Sequence, residues 1–360
     1  MDKRIYAIQV ATYTALMLSI TYTPSLAARA GGSAFEIALI FSLYNLAYFL
    51  SSMIFGRLAD LHGRKIFISA GFLVASLAFV SQYFYWNYYS LLILRVMAGF
   101  SAGIFPAATI SLAHDMRIKM GKLSAFGAAG WALGSYLAGI VSLFFGLKAT
   151  YVFSSIVFII AYFITLGLKD LGVRVEHVPR IPLEVIRRNW HIYLSYIFRH
   201  SAATMIWAFW PLFVASIGGN SFWQAATMGV NSTAQFFIMY FYADTKKSTH
   251  LILWGLALSS LTFLLYALIT NVWEMLPVQV ILATSWAFLY VGSLNYLTSR
   301  NPEKATATGL LNSSIGISAF IGPLLGGAFM SFVANYRYLM LFSATVSLFG
   351  VIIFKIGERG

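Results

Sequence analysis

The side chains able to do chemistry in this sequence are few, and most sit inside long apolar runs. Arg199 and His200 stand side by side about nine residues into one such run, roughly 14 Å along a helix that rises about 1.5 Å per residue. Arg95 lies about six residues, roughly 9 Å, inside another. A cation at that depth in a bilayer costs about 3 kcal/mol or more unless it faces protein or water, so both arginines must point inward. Helical spacing puts Arg199, Ala203, Ile206 and Trp210 on one face and His200 with Trp207 on the next. That side is cationic and aromatic, which predicts Arg199, Trp207 and Trp210 as lining for a cavity. An imidazole in the membrane can exchange a proton near neutral pH, so His200 is a candidate coupling group; the alternative is a histidine held in a core. A third cluster, Gly56-Arg57-Leu58-Ala59-Asp60-Leu61-His62-Gly63-Arg64-Lys65, puts one acid among three strong bases, with glycines that let backbones approach. Such a cluster can latch one helix to another.

The elements that must hold these groups follow from composition. Of 360 residues, 60% are hydrophobic and only 10% charged. A bilayer core about 30 Å thick needs roughly 20 apolar residues per helical crossing. Twelve such segments are predicted, at about 5–29, 34–57, 66–86, 89–113, 122–146, 149–168, 191–217, 221–243, 250–270, 273–298, 305–332 and 336–355. The runs are too long and continuous for barrel strands, so the fold class is an all-α membrane protein. The net charge of +13 could suggest nucleic acid, but nineteen of the 24 Lys and Arg fall on one side of the membrane and only Arg29, Lys148 and Arg337 on the other. That bias is the positive-inside pattern, so the partners are the lipid bilayer, including anionic lipid, and not nucleic acid. Both termini are expected in the cytoplasm of a multi-pass protein of the plasma membrane. The first segment is read as retained, being too long for a signal peptide. With no Cys there is no disulfide and no thiolate metal site.

One long connection, 169–190, divides the chain into six segments and six: an N-terminal bundle at 1–168 and a C-terminal bundle at 191–360. Internal repetition agrees, because 121–139 aligns with 309–327 through Gly121/Gly309, Leu123/Leu311, Gly134/Gly322, Leu137/Leu325 and Gly139/Gly327. At a slightly smaller offset, Ala59-Asp60 aligns with Ala243-Asp244 and Arg95 with Gln279.

Here the chain resembles the major facilitator superfamily of secondary transporters, over its whole length. The run from Gly56 to Lys65 matches the family signature between segments 2 and 3, and Arg95 with Gly99 matches that of segment 4. Gly322-Pro323-Leu324-Leu325-Gly326-Gly327 resembles the glycine-proline element of drug/proton antiporters, which those exporters carry on segment 5. On segment 5 this chain reads Gly134-Ser135-Tyr136-Leu137-Ala138-Gly139, without the proline. The resemblance implies two pseudo-symmetric six-helix bundles working by alternating access. It implies a latch of Gly56, Asp60, Gly63, Arg64 and Lys65, with Asp60 pairing Arg64 and facing the start of segment 11. It also implies a part for Arg95 in proton coupling or gating, against the plainer reading of an arginine bonded to carbonyls of segment 1.

Small residues at Gly99, Gly103, Gly134, Gly139, Gly322, Gly326 and Gly327, with Pro323, are read as helix-packing positions. Polar and aromatic residues at helical spacing extend the candidate substrate cavity: Gln9 and Tyr13 on segment 1, Asn45 on segment 2, Asn231 and Gln235 on segment 8. Gln279, Trp286 and Tyr290 on segment 10 and Asn312 on segment 11 complete it. None of the eleven acids lies mid-segment, so the deep charges are all cationic and the cavity should disfavour cations. The expected substrate is an anionic or neutral amphipathic small molecule, and the resemblance implies proton-coupled efflux. Export of lipophilic cations, or import of a small organic anion or sugar, is the alternative. No phosphate-binding loop, cofactor site, metal site or catalytic constellation is found, so no enzyme is expected.

Overall fold

The computed structural model describes residues 3–118, 120–168, 183–242, 248–301 and 304–359. Among them the chain forms α-helices, one 3-10 turn and no strand. Most of the expected connection, 169–182, lies outside the described residues.

Every predicted segment is helical where expected. Segment 1 is α1 (Arg4–Ile20) with α2 (Thr23–Arg29), segment 2 is α3 (Ala34–His62), and segment 3 is α4 (Arg64–Ser81) with a 3-10 turn at Gln82–Phe84. Segment 4 is α5 (Tyr88–Ala102) with α6 (Pro106–Asp115), and segments 5 and 6 are α7 (Met120–Phe145) and α8 (Ala149–Leu166). Segment 7 is α9 (Leu183–Trp207) with α10 (Trp210–Ser216). Segments 8 to 12 are α11 (Ser221–Tyr242), α12 (Ser248–Leu268), α13 (Val272–Arg300), α14 (Lys304–Val333) and α15 (Tyr336–Arg359).

Three segments drawn as continuous helices are broken instead, at residues 21–22, 103–105 and 208–209. In each case a proline, Pro24, Pro106 or Pro211, opens the second piece. A proline has no N–H to donate and its ring crowds the carbonyl four residues back, so it suits the first turn of a new helix. Pro277 and Pro323, by contrast, lie within α13 and α14 without ending them. Among the described residues ten stretches are long and apolar enough to cross a membrane, and segments 7 and 8 are not among them. Those are the segments that carry Arg199 and His200, and Asn231 and Gln235.

By packing, the chain divides into two compact units. Unit 1 comprises Met1–Gly32, Leu43–Val178 and Gly219–Phe236; unit 2 comprises Ser33–Ser42, Pro179–Gly218 and Phe237–Gly360. Each unit therefore includes a short stretch from the other half of the sequence. Glycines account for both. In unit 1, a Cβ added at Gly139 of α7 would stand 3.1 Å from the Phe222 ring of α11, and Tyr22 at the end of segment 1 bonds Ser142 at 3.0 Å and the carbonyl of Ser221. In unit 2, a Cβ at Gly327 of α14 would stand 2.5 Å from the Ala38 methyl of α3. Close helix approach is what such small residues permit.

The aligned glycines of the repeat do equivalent work in the two units. Gly134 packs on the α1 backbone, where a Cβ would lie 2.6 Å from the Thr14 carbonyl, and Gly322 packs on the α9 backbone at Ser201 and Thr204. The offset that relates Arg95 to Gln279 also relates Asn87 to Asn271, and both asparagines cap helices, α5 and α13. A side-chain oxygen accepting from first-turn amides is the usual capping device, so the repeat extends to the helix starts.

Candidate functional site

Arg199 is fully buried within unit 2. Its Nε donates to Ser259 Oγ of α12 at 2.7 Å and its Nη2 to Ser285 Oγ of α13 at 3.4 Å. The guanidinium lies 5.0 Å from the centre of the Trp286 ring and 5.9 Å from that of Phe263. A buried ion carries a penalty of several kcal/mol, against which neutral hydroxyls return about 1.5–3 kcal/mol each and a desolvated ring about 2. Arg199 Nη1 nevertheless has no hydrogen-bond partner, and neither has the buried Nδ1 of His200. Partial satisfaction of this kind points to a role beyond packing.

Arg199 is buried against the half-buried Trp286, and further aromatic groups pack around that ring. His200 packs 5.3 Å from Trp286 and 5.5 Å from Trp207, while Trp286 stacks on Tyr290 at 5.7 Å. Trp210 lies beyond the break at Ala208–Phe209, at the start of α10, and packs on Tyr266 at 5.2 Å.

In unit 1, Arg95 is equally buried. Its Nη1 donates to Ser19 Oγ at 2.8 Å and Gln82 Oε1 at 3.1 Å, and Tyr44 covers it at 4.2 Å. Its bonds go to side chains, not to the carbonyls of segment 1. Gly99 and Gly103 bring α5 against the backbone of α3 at Tyr44 and Tyr48, which is how the Tyr44 ring reaches the guanidinium. Arg95 Nε and Nη2 are buried without hydrogen-bond partners.

The signature run is partly described. The side chains of Arg57 and Asp60 lie outside the described residues, and with them the expected pairing of Asp60 with Arg64. Arg64 forms an ion pair with Asp115, at the end of α6. Lys65 Nζ donates to the carbonyls of Leu166 at 3.0 Å and Leu168 at 2.7 Å, and Arg4 donates to that of Gly167. Two cations thus clasp the C-terminus of α8, where free carbonyls and the helix dipole favour positive charge. Gly63 has φ +105°, a backbone that only glycine adopts freely, and it makes the turn from α3 to α4.

Among the remaining expected lining residues, Gln9 and Tyr13 border a cleft in unit 1 together with Thr12, Leu16, Tyr48, Phe105, Pro106, Thr109 and Ile110. Sequence reading named Tyr48 and missed Thr12, Phe105, Pro106, Thr109 and Ile110. Gln235 donates to Asn231 at 2.7 Å, so those two amides engage each other. Gln279 is fully buried, Asn45 is half-buried and Asn312 exposed. Gly326 packs on Met205 of α9. The described acids are Glu36, Asp115, Glu184, Glu274 and Glu358, all near helix ends. Glu36 and Glu274 accept from the backbone amides of Ser33 and Thr270, both at 2.8 Å, and so serve as helix caps.

Many apolar crossing helices, with buried cations between them and no acid among the described interior residues, define a multi-pass integral membrane transporter. The sequence matches the Major Facilitator Superfamily over residues 5–247, and the chain belongs to that family. It is a transporter rather than an enzyme. Among curated relatives it is 24% identical to the quinolone resistance protein NorA of Staphylococcus aureus (strain COL), over 90% of this chain and 88% of that one. It is also 24% identical to an uncharacterised MFS-type transporter of Methanocaldococcus jannaschii, over 97% of each. Its fold is that of the nucleoside transporter NupG, with TM-score 0.81 at 11% identity over 100% of both chains. A bacterial homologue of the lysosomal transporter Spinster gives TM-score 0.79 at 15% identity over 99% of this chain and 96% of that one.

Proposed function

We propose that this chain is a secondary active transporter that works by alternating access and exports an anionic or neutral amphipathic small molecule, coupled to proton entry. The observation that carries the substrate class is Arg199, fully buried with an unpartnered Nη1 and no acid near it among the described residues. A charge so placed favours an anion or a strong acceptor and repels a cation. The aromatic layer of Trp286, His200, Trp207 and Tyr290 suits a planar apolar body. Relatedness to NorA, named for quinolone resistance, supports the outward direction. His200 and Arg95 are the proposed coupling or gating groups, and the run from Gly56 to Lys65 the proposed cytoplasmic latch. The distribution of Lys and Arg supports cytoplasmic termini.

Everted membrane vesicles energised with a pH gradient and given 2-naphthoate provide the test. Wild type should accumulate the probe and Arg199→Gln should not. Accumulation of tetraphenylphosphonium alone, undiminished in Arg199→Gln, would establish export of lipophilic cations in its place, and uptake opposite to the gradient would establish import.

A further inference from the structure

Segment 4 is interrupted deep in unit 1. Helix α5 ends at Ala102, residues Gly103 to Phe105 form a turn, and α6 starts again at Pro106. Both ends of the break have a cause. Gly103 lies so close to the Tyr48 carbonyl and to Ser51, 2.8 Å from an added Cβ, that no side chain fits there. Pro106 cannot donate back to the preceding turn. The start of a helix carries the positive end of its dipole, which favours acceptor oxygens, although here Pro106 has no amide and that of Thr109 donates to the Phe105 carbonyl at 2.9 Å.

A helix start alone defines no site, but a second group points to the same place. The cleft at this break is bordered by Phe105, Pro106 and Thr109 from the α6 side and by Gln9, Thr12 and Tyr13 from α1. Thr12 is only 5% exposed, and its hydroxyl has no hydrogen-bond partner. Leaving a buried hydroxyl unmade costs about 1–3 kcal/mol, and a valine of the same shape would avoid that cost. Other buried threonines of these segments return their hydroxyls to a carbonyl, as Thr109 does to Phe105 at 2.8 Å and Thr14 to Gly130 at 3.1 Å. Among the described residues no charged side chain borders the cleft.

We infer that the break in segment 4 is a binding subsite for one acceptor oxygen of the transported molecule, held by the Thr12 hydroxyl at the start of α6. The oxygen is that of a carboxylate or a carboxamide carbonyl, since Thr12 donates and the helix end is electropositive. This rests on the substrate reading above. The cleft admits a single polar group and not a whole ligand, so the rest of the molecule must extend beyond it.

The test is binding of 2-naphthoate and of its neutral carboxamide to purified full-length protein, followed by tryptophan fluorescence, in wild type, Thr12→Val and Thr12→Ser. Thr12→Val should weaken both probes about tenfold, and Thr12→Ser less than about threefold, as befits one hydrogen bond. Without ligand, Thr12→Val should melt no lower than wild type, because it removes an unsatisfied buried hydroxyl; a merely structural threonine would lower it. Equal affinities in wild type and Thr12→Val would overturn the subsite. Wild type that binds the carboxamide but not 2-naphthoate would refute the anionic reading while the Thr12→Val comparison still decides the subsite. Binding of neither probe would refute both.

Discussion

Arg64, the first residue of α4, is ion-paired with Asp115, the last residue of α6, and also donates to the Ser111 carbonyl at 3.2 Å. The pair ties the start of segment 3 to the end of segment 4 within unit 1. Its side chains are 9% and 17% exposed, so both charges are largely cut off from bulk water. Asp115→Asn or Arg64→Gln should each lower stability by about 3 kcal/mol. Combining them should cost less than the sum of the two, because neither charge is then left alone. Melting curves of the four proteins in one detergent would measure the coupling, and additive losses would count against it.

Trp286 is the hinge of the aromatic layer in unit 2, since it touches both the guanidinium of Arg199 and the ring of His200. Trp286→Leu should cost about 1–2 kcal/mol in stability from the lost cation–π contact and weaken retention of aromatic substrates. Trp286→Phe should keep most of both. Parallel thermal melts and vesicle transport of 2-naphthoate would distinguish a ring requirement from a requirement for bulk.

Two glycines should respond oppositely to the same change. Gly103→Ala forces a methyl against the Tyr48 carbonyl and should destabilise by about 1–3 kcal/mol. Gly309, inside α14, has open space around it, and Gly309→Ala should stabilise by about 0.5–1 kcal/mol through the unfolded chain's entropy. Melting temperatures that move the same way would show that the approach of α5 to α3 is looser than described.

Length, apolarity and charge distribution were enough to read the twelve crossings, because a bilayer leaves the backbone almost no alternative to a helix. The family was legible for a different reason: the run from Gly56 to Lys65 is a dense polar signal in an apolar chain. Breaks were less legible, since Pro24, Pro106 and Pro211 stand at the start of new helices while Pro277 and Pro323 lie inside unbroken ones. Partners were least legible. Periodicity could say that Arg199 faces inward, but Ser259 and Ser285 lie on other helices and nothing near Arg199 in the sequence announces them. Asp115 was missed as the partner of Arg64 for the same reason.

The stretches exchanged between the units bear on how the protein is made. Residues 219–236 join a unit whose other parts precede them in the chain, so they can dock as soon as they leave the ribosome. Residues 33–42 belong with a unit synthesised almost entirely after them, and Ala38 waits for Gly327. The first part of α3 is therefore synthesised long before the unit it packs into. Either half expressed alone would be an incomplete body lacking a piece that only the other half encodes.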